Sequence, residues 1–175
     1  MNFNKNQELV NERLKKIQTL LTKKPNSCYF ELKKIIQNEN NKSEYNVVLD
    51  MLKPLYKTYL KKKSLYKAAL VAKMTASYGE INDNYEIIVN SLSKLAGIYI
   101  SKNKFDKALV HLEKALTVNM NKIPRFQSPL LFSNYGRVLM EKNKYDLSLE
   151  YLLKALKAAK ENNVIEENIN IYMTL

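Results

Sequence analysis

Residues 103–106 read Asn-Lys-Phe-Asp, and residues 143–146, forty positions later, read Asn-Lys-Tyr-Asp. A second pair of segments has the same spacing, because Lys-Ala-Leu stands at both 114–116 and 154–156. Two coincidences at one spacing predict an internal repeat of forty residues, a period within the range found in helical repeat arrays.

The repeat extends toward the N-terminus, where apolar or small residues hold four equivalent positions in each unit. These positions are Leu52, Leu55, Tyr56 and Tyr59, then Leu92, Leu95, Ala96 and Tyr99, then Phe132, Tyr135, Gly136 and Leu139. We therefore expect a degenerate N-terminal hairpin or cap (1–48) and three units (49–88, 89–128 and 129–168), followed by the start of a further or capping helix (169–175). That last segment either caps the array or continues into a longer protein.

Each unit is predicted to form two antiparallel helices. Apolar residues recur at steps of three and four from Leu92 to about Ser101, and again from Phe105 onward. The polar segment between them is short, which suits neighbouring antiparallel helices. Small residues at the predicted helix contacts allow the helices to approach closely; they are Ala96, Ala108, Gly136 and Ser148.

These residues and their spacing resemble the tetratricopeptide repeat family, whose pattern places large and small residues at fixed offsets on two helices. The resemblance is carried by Leu92, Leu95, Ala96, Tyr99, Phe105, Ala108, Leu112 and Ala115, and again by Phe132, Tyr135, Gly136, Leu139, Tyr145, Ser148, Leu152 and Ala155. It implies an all-α fold, a right-handed solenoid of about four antiparallel helical hairpins. Only three glycines and four prolines occur, which also favours helices over a turn-rich β fold.

The period departs from the family's, since it is forty residues rather than the usual ~34. We expect the extra residues to lie between units, in 77–85, 119–129 and 160–167. Longer units of this kind resemble bacterial peptide-sensing regulators and some eukaryotic scaffold proteins. Pro54 falls inside the pattern of a first helix, where it is predicted to kink that helix or to start a new one.

Residues that carry catalytic chemistry are sparse. Cys28 is the single cysteine, so neither an intramolecular disulfide nor a cysteine-based zinc site can form. The single histidine, His111, has no nucleophile or orienting group at a suggestive spacing. The chain contains neither the phosphate-binding motif G-x-x-x-x-G-K-S/T nor the dinucleotide-binding motif G-x-G-x-x-G. We therefore predict a binding protein rather than an enzyme, without a metal or cofactor.

The candidate binding residues lie on the predicted first helices. In the family that the chain resembles, first helices line the concave face on which partner peptides bind. The residues predicted to contact a partner are Lys53, Lys57, Lys61, Asn90, Ser93, Lys94, Asn134 and Arg137. A basic groove of this composition would hydrogen-bond a peptide backbone and pair with carboxylates. Leu130 stands where the family's carboxylate-binding lysine is expected, so that specific pattern is incomplete.

The leading interpretation is a scaffold or adaptor that binds an acidic protein or peptide. One alternative is the peptide-sensing domain of a bacterial regulator, which changes shape when it binds its ligand. Another is non-specific nucleic-acid binding through the net charge of +12, although only three of the basic residues, Arg13, Arg125 and Arg137, are arginine. No apolar stretch approaches the ~18 residues of a membrane helix, and a cytoplasmic location is expected.

Overall fold

The computed structural model describes residue 12 and residues 15–21, 23–37 and 45–162, and all regular secondary structure in these ranges is helical. Residues 15–21 are helical, and seven helices follow. They are α1 (Pro25–Gln37), α2 (Tyr45–Lys61), α3 (Leu65–Ile81), α4 (Tyr85–Ile100), α5 (Phe105–Lys122), α6 (Pro129–Glu141) and α7 (Tyr145–Glu161). The predicted all-α class is confirmed. The helix predicted to start within 169–175 lies outside the described residues, as does part of the hairpin predicted in 1–48.

The chain forms two compact units, residues 1–74 and 75–175, with the boundary inside α3. In the first unit, α1 packs against α2. In the second unit, α4 packs along α5 and α6 packs along α7, while α6 also contacts both α4 and α5. The second unit is thus built from two helical hairpins, α4–α5 and α6–α7, stacked through α6.

The core of the second unit contains several of the repeating positions read from the sequence, together with Leu131, Val138 and Ala158, which were not among them. In the first hairpin, the buried residues include Leu92, Ala96, Ala108, Leu112 and Ala115. In the second hairpin they include Leu131, Phe132, Val138, Ala155 and Ala158. One hairpin cannot cover its own apolar face, so the two share a single cluster of buried side chains.

The helices are longer than the sequence predicted, and this length accounts for much of the forty-residue period. Segment 77–85 is not an inter-unit loop, because α3 continues to Ile81 and α4 begins at Tyr85. The side chain of Asn84 fixes this earlier start by accepting a hydrogen bond from the N–H of Ile87 at 3.1 Å. In the same way α5 continues to Lys122, so the loop before α6 is shorter than the predicted 119–129.

Four chain reversals have one backbone geometry. Each contains a non-glycine residue with φ between 53° and 57°, namely Lys63, Asp83, Asn103 and Asn143. At the third reversal, the N–H of Lys104 donates to the carbonyl of Tyr99 at 2.9 Å, and the other three reversals repeat this bond. A left-handed residue followed by a bond that spans five positions is the Schellman ending of a helix. These turns therefore end α2, α3, α4 and α6, and after the third and fourth turns the next helix packs back along the one before it.

Two prolines have different consequences. Pro129 begins α6 directly after the N-cap residue Ser128, whose hydroxyl accepts from the N–H of Leu131 at 3.3 Å. This is the position where a proline costs nothing in hydrogen bonding. Pro54 lies inside α2, which runs as one helix from Tyr45 to Lys61. Of the two alternatives predicted for Pro54, a kink or the start of a new helix, the second is therefore wrong.

Candidate functional site

The first helices of the two stacked hairpins each present a row of partly exposed residues. The row on α4 is Asn90, Lys94 and Gly97, continued by the capping residue Ser101, and the row on α6 is Leu130, Ser133 and Arg137, all half-buried. Steps of three and four residues place the members of each row on one side of their helix. We call these two rows together the first-helix face.

Two side-chain hydrogen bonds join α4 to α6 beside these rows. The hydroxyl of Ser128 donates to Oδ1 of Asn90 at 3.1 Å. The side-chain amide of Asn134 donates to the main-chain carbonyl of Ser93 at 2.9 Å. Lys94 directly follows Ser93 in the chain, and Arg137 lies three residues after Asn134, so both cations lie within about one helical turn of the same bond.

Ser93 and Asn134, both predicted to contact a partner, are fully buried. The hydroxyl of Ser93 donates to the carbonyl of Val89 at 2.8 Å, inside its own helix. Buried polar groups require hydrogen-bond partners, and the partners of these two residues lie within α4 and across the contact between α4 and α6. These two side chains are therefore not part of an open surface, and they are left out of the first-helix face.

Asn134 has one polar atom that its surroundings do not satisfy. Its Oδ1 is buried and accepts no hydrogen bond from the described residues. An acceptor buried in this way destabilises the folded state by about 1–3 kcal/mol. Among the described residues, the hydrogen bond that holds this amide is the one from Nδ2 to the carbonyl of Ser93.

The electrostatics of the first-helix face are dominated by its cations. Partial burial lowers the pKa of Arg137, because loss of water disfavours the charged guanidinium, and the nearby carboxylate of Glu141 opposes that shift. Arginine remains charged at neutral pH even so. A partly dehydrated cation gains more from a carboxylate partner than a fully hydrated one does.

The lysines predicted on the first unit lie on α2 and are all exposed. Lys53, Lys57 and Lys61 follow one another at steps of four, so they form a stripe along one side of the helix. The Nζ atom of Lys53 lies 3.7 Å from Oδ1 of Asp50, at the surface. Such exposed pairs contribute little to stability, so the stripe remains open to other anions.

Two residues considered for chemistry have packing roles. Cys28 is fully buried, and burial raises the pKa of its thiol to about 11. The ring of His111 stacks on that of Tyr99, with centroids 5.4 Å apart and planes 9° from parallel. Among the residues that the structure describes, no group of three or more His, Cys, Asp or Glu side chains is arranged to hold a metal ion. None of the described helices is long and apolar enough to cross a membrane.

One polar residue that the sequence analysis missed is Asn119, near the end of α5. Its buried side-chain amide donates to the carbonyls of Ile123 at 2.8 Å and Phe126 at 3.0 Å. These two bonds fold the loop before α6 back onto the helix end. The sequence did contain a signal for this role, because Asn119 is an asparagine near a helix end and is followed by a loop that contains a proline.

Comparison with known proteins finds one family model that matches both hairpins of the second unit. The model of the tetratricopeptide repeat matches residues 89–121 and 131–162, which correspond to α4–α5 and α6–α7. No curated protein sequence matches the chain. Among solved structures, the crystal structure of MamA protein aligns with 18% sequence identity, covering 89% of this chain and 97% of that one, at a TM-score of 0.33. That score is too low for MamA to inform the fold or function of this chain.

Tetratricopeptide repeats generally mediate protein–protein interaction and act as scaffolds that are typically not enzymes. The resemblance drawn from Leu92, Leu95, Ala96 and Tyr99, and from their counterparts forty residues later, is confirmed over the matched residues. The two stacked hairpins of the second unit therefore match the tetratricopeptide repeat over residues 89–121 and 131–162.

Proposed function

We propose that the first-helix face of α4 and α6 binds an acidic segment of a partner protein. The observation that carries this proposal is the hydrogen bond from Asn134 to the carbonyl of Ser93. Lys94 follows Ser93 in the chain and Arg137 lies three residues after Asn134, so we propose that both cations act beside this bond. A segment with two carboxylates could pair with both cations at once.

The chemistry of the face supports an extended acidic peptide. Lys94 and Arg137 offer charge-assisted hydrogen bonds, which are stronger than those between neutral groups. Asn90 and Ser133 lie in the same rows and carry uncharged side chains that can hydrogen-bond a peptide backbone. The half-buried stems of the two cations add apolar contact area.

The lysine stripe of α2, formed by Lys53, Lys57 and Lys61, is proposed as a second contact for acidic partners. All three side chains are exposed, and their spacing places the ammonium groups along one line. The stripe and the first-helix face are proposed as two distinct surfaces.

Phage display of random peptides on the intact chain tests the first-helix face, because it requires no knowledge of the partner. We expect the selected peptides to be rich in Asp and Glu. Fluorescence anisotropy then compares their affinity for the wild type and for Lys94→Gln/Arg137→Gln. The loss of two charged hydrogen bonds is expected to weaken binding at least ~10-fold.

The matched control is Lys107→Gln/Arg125→Gln, which removes the same net charge from exposed positions outside the face. Its affinity for the selected peptides should stay within about twofold of wild type. Equal weakening by both double variants would mean that net charge alone attracts the peptides, and the proposed face would then be wrong. A selection that yields peptides with no excess of acidic residues would also contradict the proposal.

A further inference from the structure

A cavity of about 350 Å³ lies in the first unit, and its lining does not include Lys53, Lys57 or Lys61 of the lysine stripe. Four of its lining residues are lysines, namely Lys23, Lys24, Lys62 and Lys67. None of the described residues that line it is an aspartate or a glutamate. A concentration of ammonium groups without counter-charge raises the local positive potential and attracts anions.

The cavity lies where two helices begin. The carbonyl of Lys24 accepts from the N–H of Cys28 at 3.1 Å, and the carbonyl of Ser64 accepts from the N–H of Ala68 at 3.0 Å. Lys24 and Ser64 are therefore the residues that precede the first turns of α1 and α3, and both line the cavity. The carbonyl ends of the preceding helical segments lie at the same two places, since the N–H of Lys24 donates to the carbonyl of Leu20 and that of Ser64 to the carbonyl of Tyr59, so the positive charge of the cavity is that of its lysines.

Asn26 holds the cavity wall in a fixed arrangement. Its Oδ1 accepts one hydrogen bond from the hydroxyl of Tyr59 at 2.9 Å and another from Nζ of Lys67 at 3.0 Å. Tyr59 is only 3% exposed, so this network is anchored in the packed part of the unit. The amide of Asn26 is neutral, and the bond therefore orients the ammonium of Lys67 without cancelling its charge.

The amount of charge and the size of the cavity define the class of ligand. A phosphate monoester carries a charge of about −1.5 to −2 at neutral pH, so four ammonium groups match roughly two phosphates. A volume of 350 Å³ lies within the range of small-molecule sites. We propose that this cavity binds the diphosphate group of a small molecule, either free pyrophosphate or a nucleoside diphosphate.

Isothermal titration calorimetry on the intact chain tests the site with pyrophosphate, ADP and sulfate as probes. Pyrophosphate and ADP are expected to bind, and sulfate is expected to bind at least ~10-fold more weakly, because it presents a single dianion. Tighter binding of ADP than of pyrophosphate identifies an esterified diphosphate as the ligand class. The reverse order identifies the free ion, and both orders support a diphosphate site.

Two variants remove the site in different ways. Lys23→Gln/Lys62→Gln removes two of the four charges and is expected to weaken pyrophosphate binding at least ~10-fold. Asn26→Asp retains an oxygen that accepts from Tyr59 and Lys67 but places a carboxylate inside the cavity. We expect Asn26→Asp to lose binding through charge repulsion while its melting temperature stays unchanged or rises.

The matched control is Lys33→Gln/Lys73→Gln, which changes the net charge equally at exposed positions that do not line the cavity. It should bind pyrophosphate within about twofold of wild type. The proposal is overturned if the control loses as much affinity as Lys23→Gln/Lys62→Gln. It is also overturned if the wild type shows no binding of pyrophosphate at millimolar concentration, or if sulfate binds as tightly as pyrophosphate.

Discussion

The hydroxyl of Ser148 on α7 donates a hydrogen bond of 2.8 Å to the main-chain carbonyl of Gly136 on α6. A side-chain hydroxyl can reach the backbone of a neighbouring helix in this way only where the two helices come very close. A Cβ atom placed on Gly136 would lie 2.9 Å from Cγ of Leu152 and 3.2 Å from the carbonyl oxygen of Ser148. The absence of a side chain at Gly136 therefore sets the separation of the hairpin's two helices.

We expect Gly136→Ala to destabilise the chain by about 1–2 kcal/mol, because overpacking outweighs the gain in helix propensity. Urea unfolding followed by circular dichroism measures the change. Gly97→Ala is the matched control, since Gly97 lies in the interior of α4 and is only half-buried. The control should be neutral or slightly stabilising, and an equal loss in both variants would contradict the close-contact explanation.

Lys63→Gly should stabilise the chain by about 1 kcal/mol. Lys63 has a φ of 53°, a left-handed conformation in which glycine avoids the strain of a Cβ atom. Asp83, Asn103 and Asn143 hold the equivalent conformation with side chains that tolerate it better. Thermal unfolding of Lys63→Gly against Lys62→Gly tests this, because Lys62 lacks the positive φ and its substitution adds only flexibility to the unfolded chain. Stabilisation by Lys62→Gly, or destabilisation by Lys63→Gly, would show that the turn is not strained.

Cys28 should make the stability of the chain fall in alkaline solution. The pKa of its thiol is raised from 9.0 to about 11 in the folded state, so above pH 9 the unfolded chain releases a proton that the folded chain retains. Stability is therefore lost as pH rises from 9 to 11, by roughly 2–3 kcal/mol. The measurement is the free energy of unfolding at pH 8 and pH 11 for wild type and Cys28→Ala, and a parallel decline in both would remove Cys28 as the cause.

Asn134→Asp and Asn134→Leu should have opposite consequences. Leucine removes the unsatisfied Oδ1, and the carbonyl of Ser93 keeps its bond within α4, so stability should stay within about 1 kcal/mol of wild type. Aspartate buries a charge beside that carbonyl and should cost about 3 kcal/mol or more at pH 7. Burial raises the pKa of the new carboxyl, so the folded state favours its protonated form and stability should recover on acidification toward pH 4. Chemical denaturation at both values of pH checks this, and a pH-independent loss would contradict the burial of residue 134.

The sequence predicted the features that depend on local chemistry. The short polar turn between the helices of a unit was predicted, and its Asn103 holds a left-handed backbone that asparagine tolerates. The small residues Gly136 and Ser148 were predicted to lie at a close helix contact, and the bond between them confirms it. The early start of α4 was also readable, because Asn84 is a good N-cap residue followed by apolar positions.

The remaining features depend on contacts between distant segments, which no local pattern encodes. Ser93 and Asn134 look like surface residues because they are polar, and only the bond across 41 positions shows that they are buried. The lysine-lined cavity likewise joins residues near 24 and near 64, and lysines in both segments read as ordinary solvated charge. Charge composition alone could not separate them from the other basic residues.

The close pairing of each second-unit helix with the next one along the chain also has a kinetic consequence. Because α4 packs on α5 and α6 on α7, the loops that must close before these contacts form are only a few residues long. Low contact order of this kind is associated with barriers that are crossed within roughly microseconds to milliseconds. We therefore expect the second unit to refold rapidly after dilution from denaturant, with each hairpin able to nucleate the structure of its neighbour.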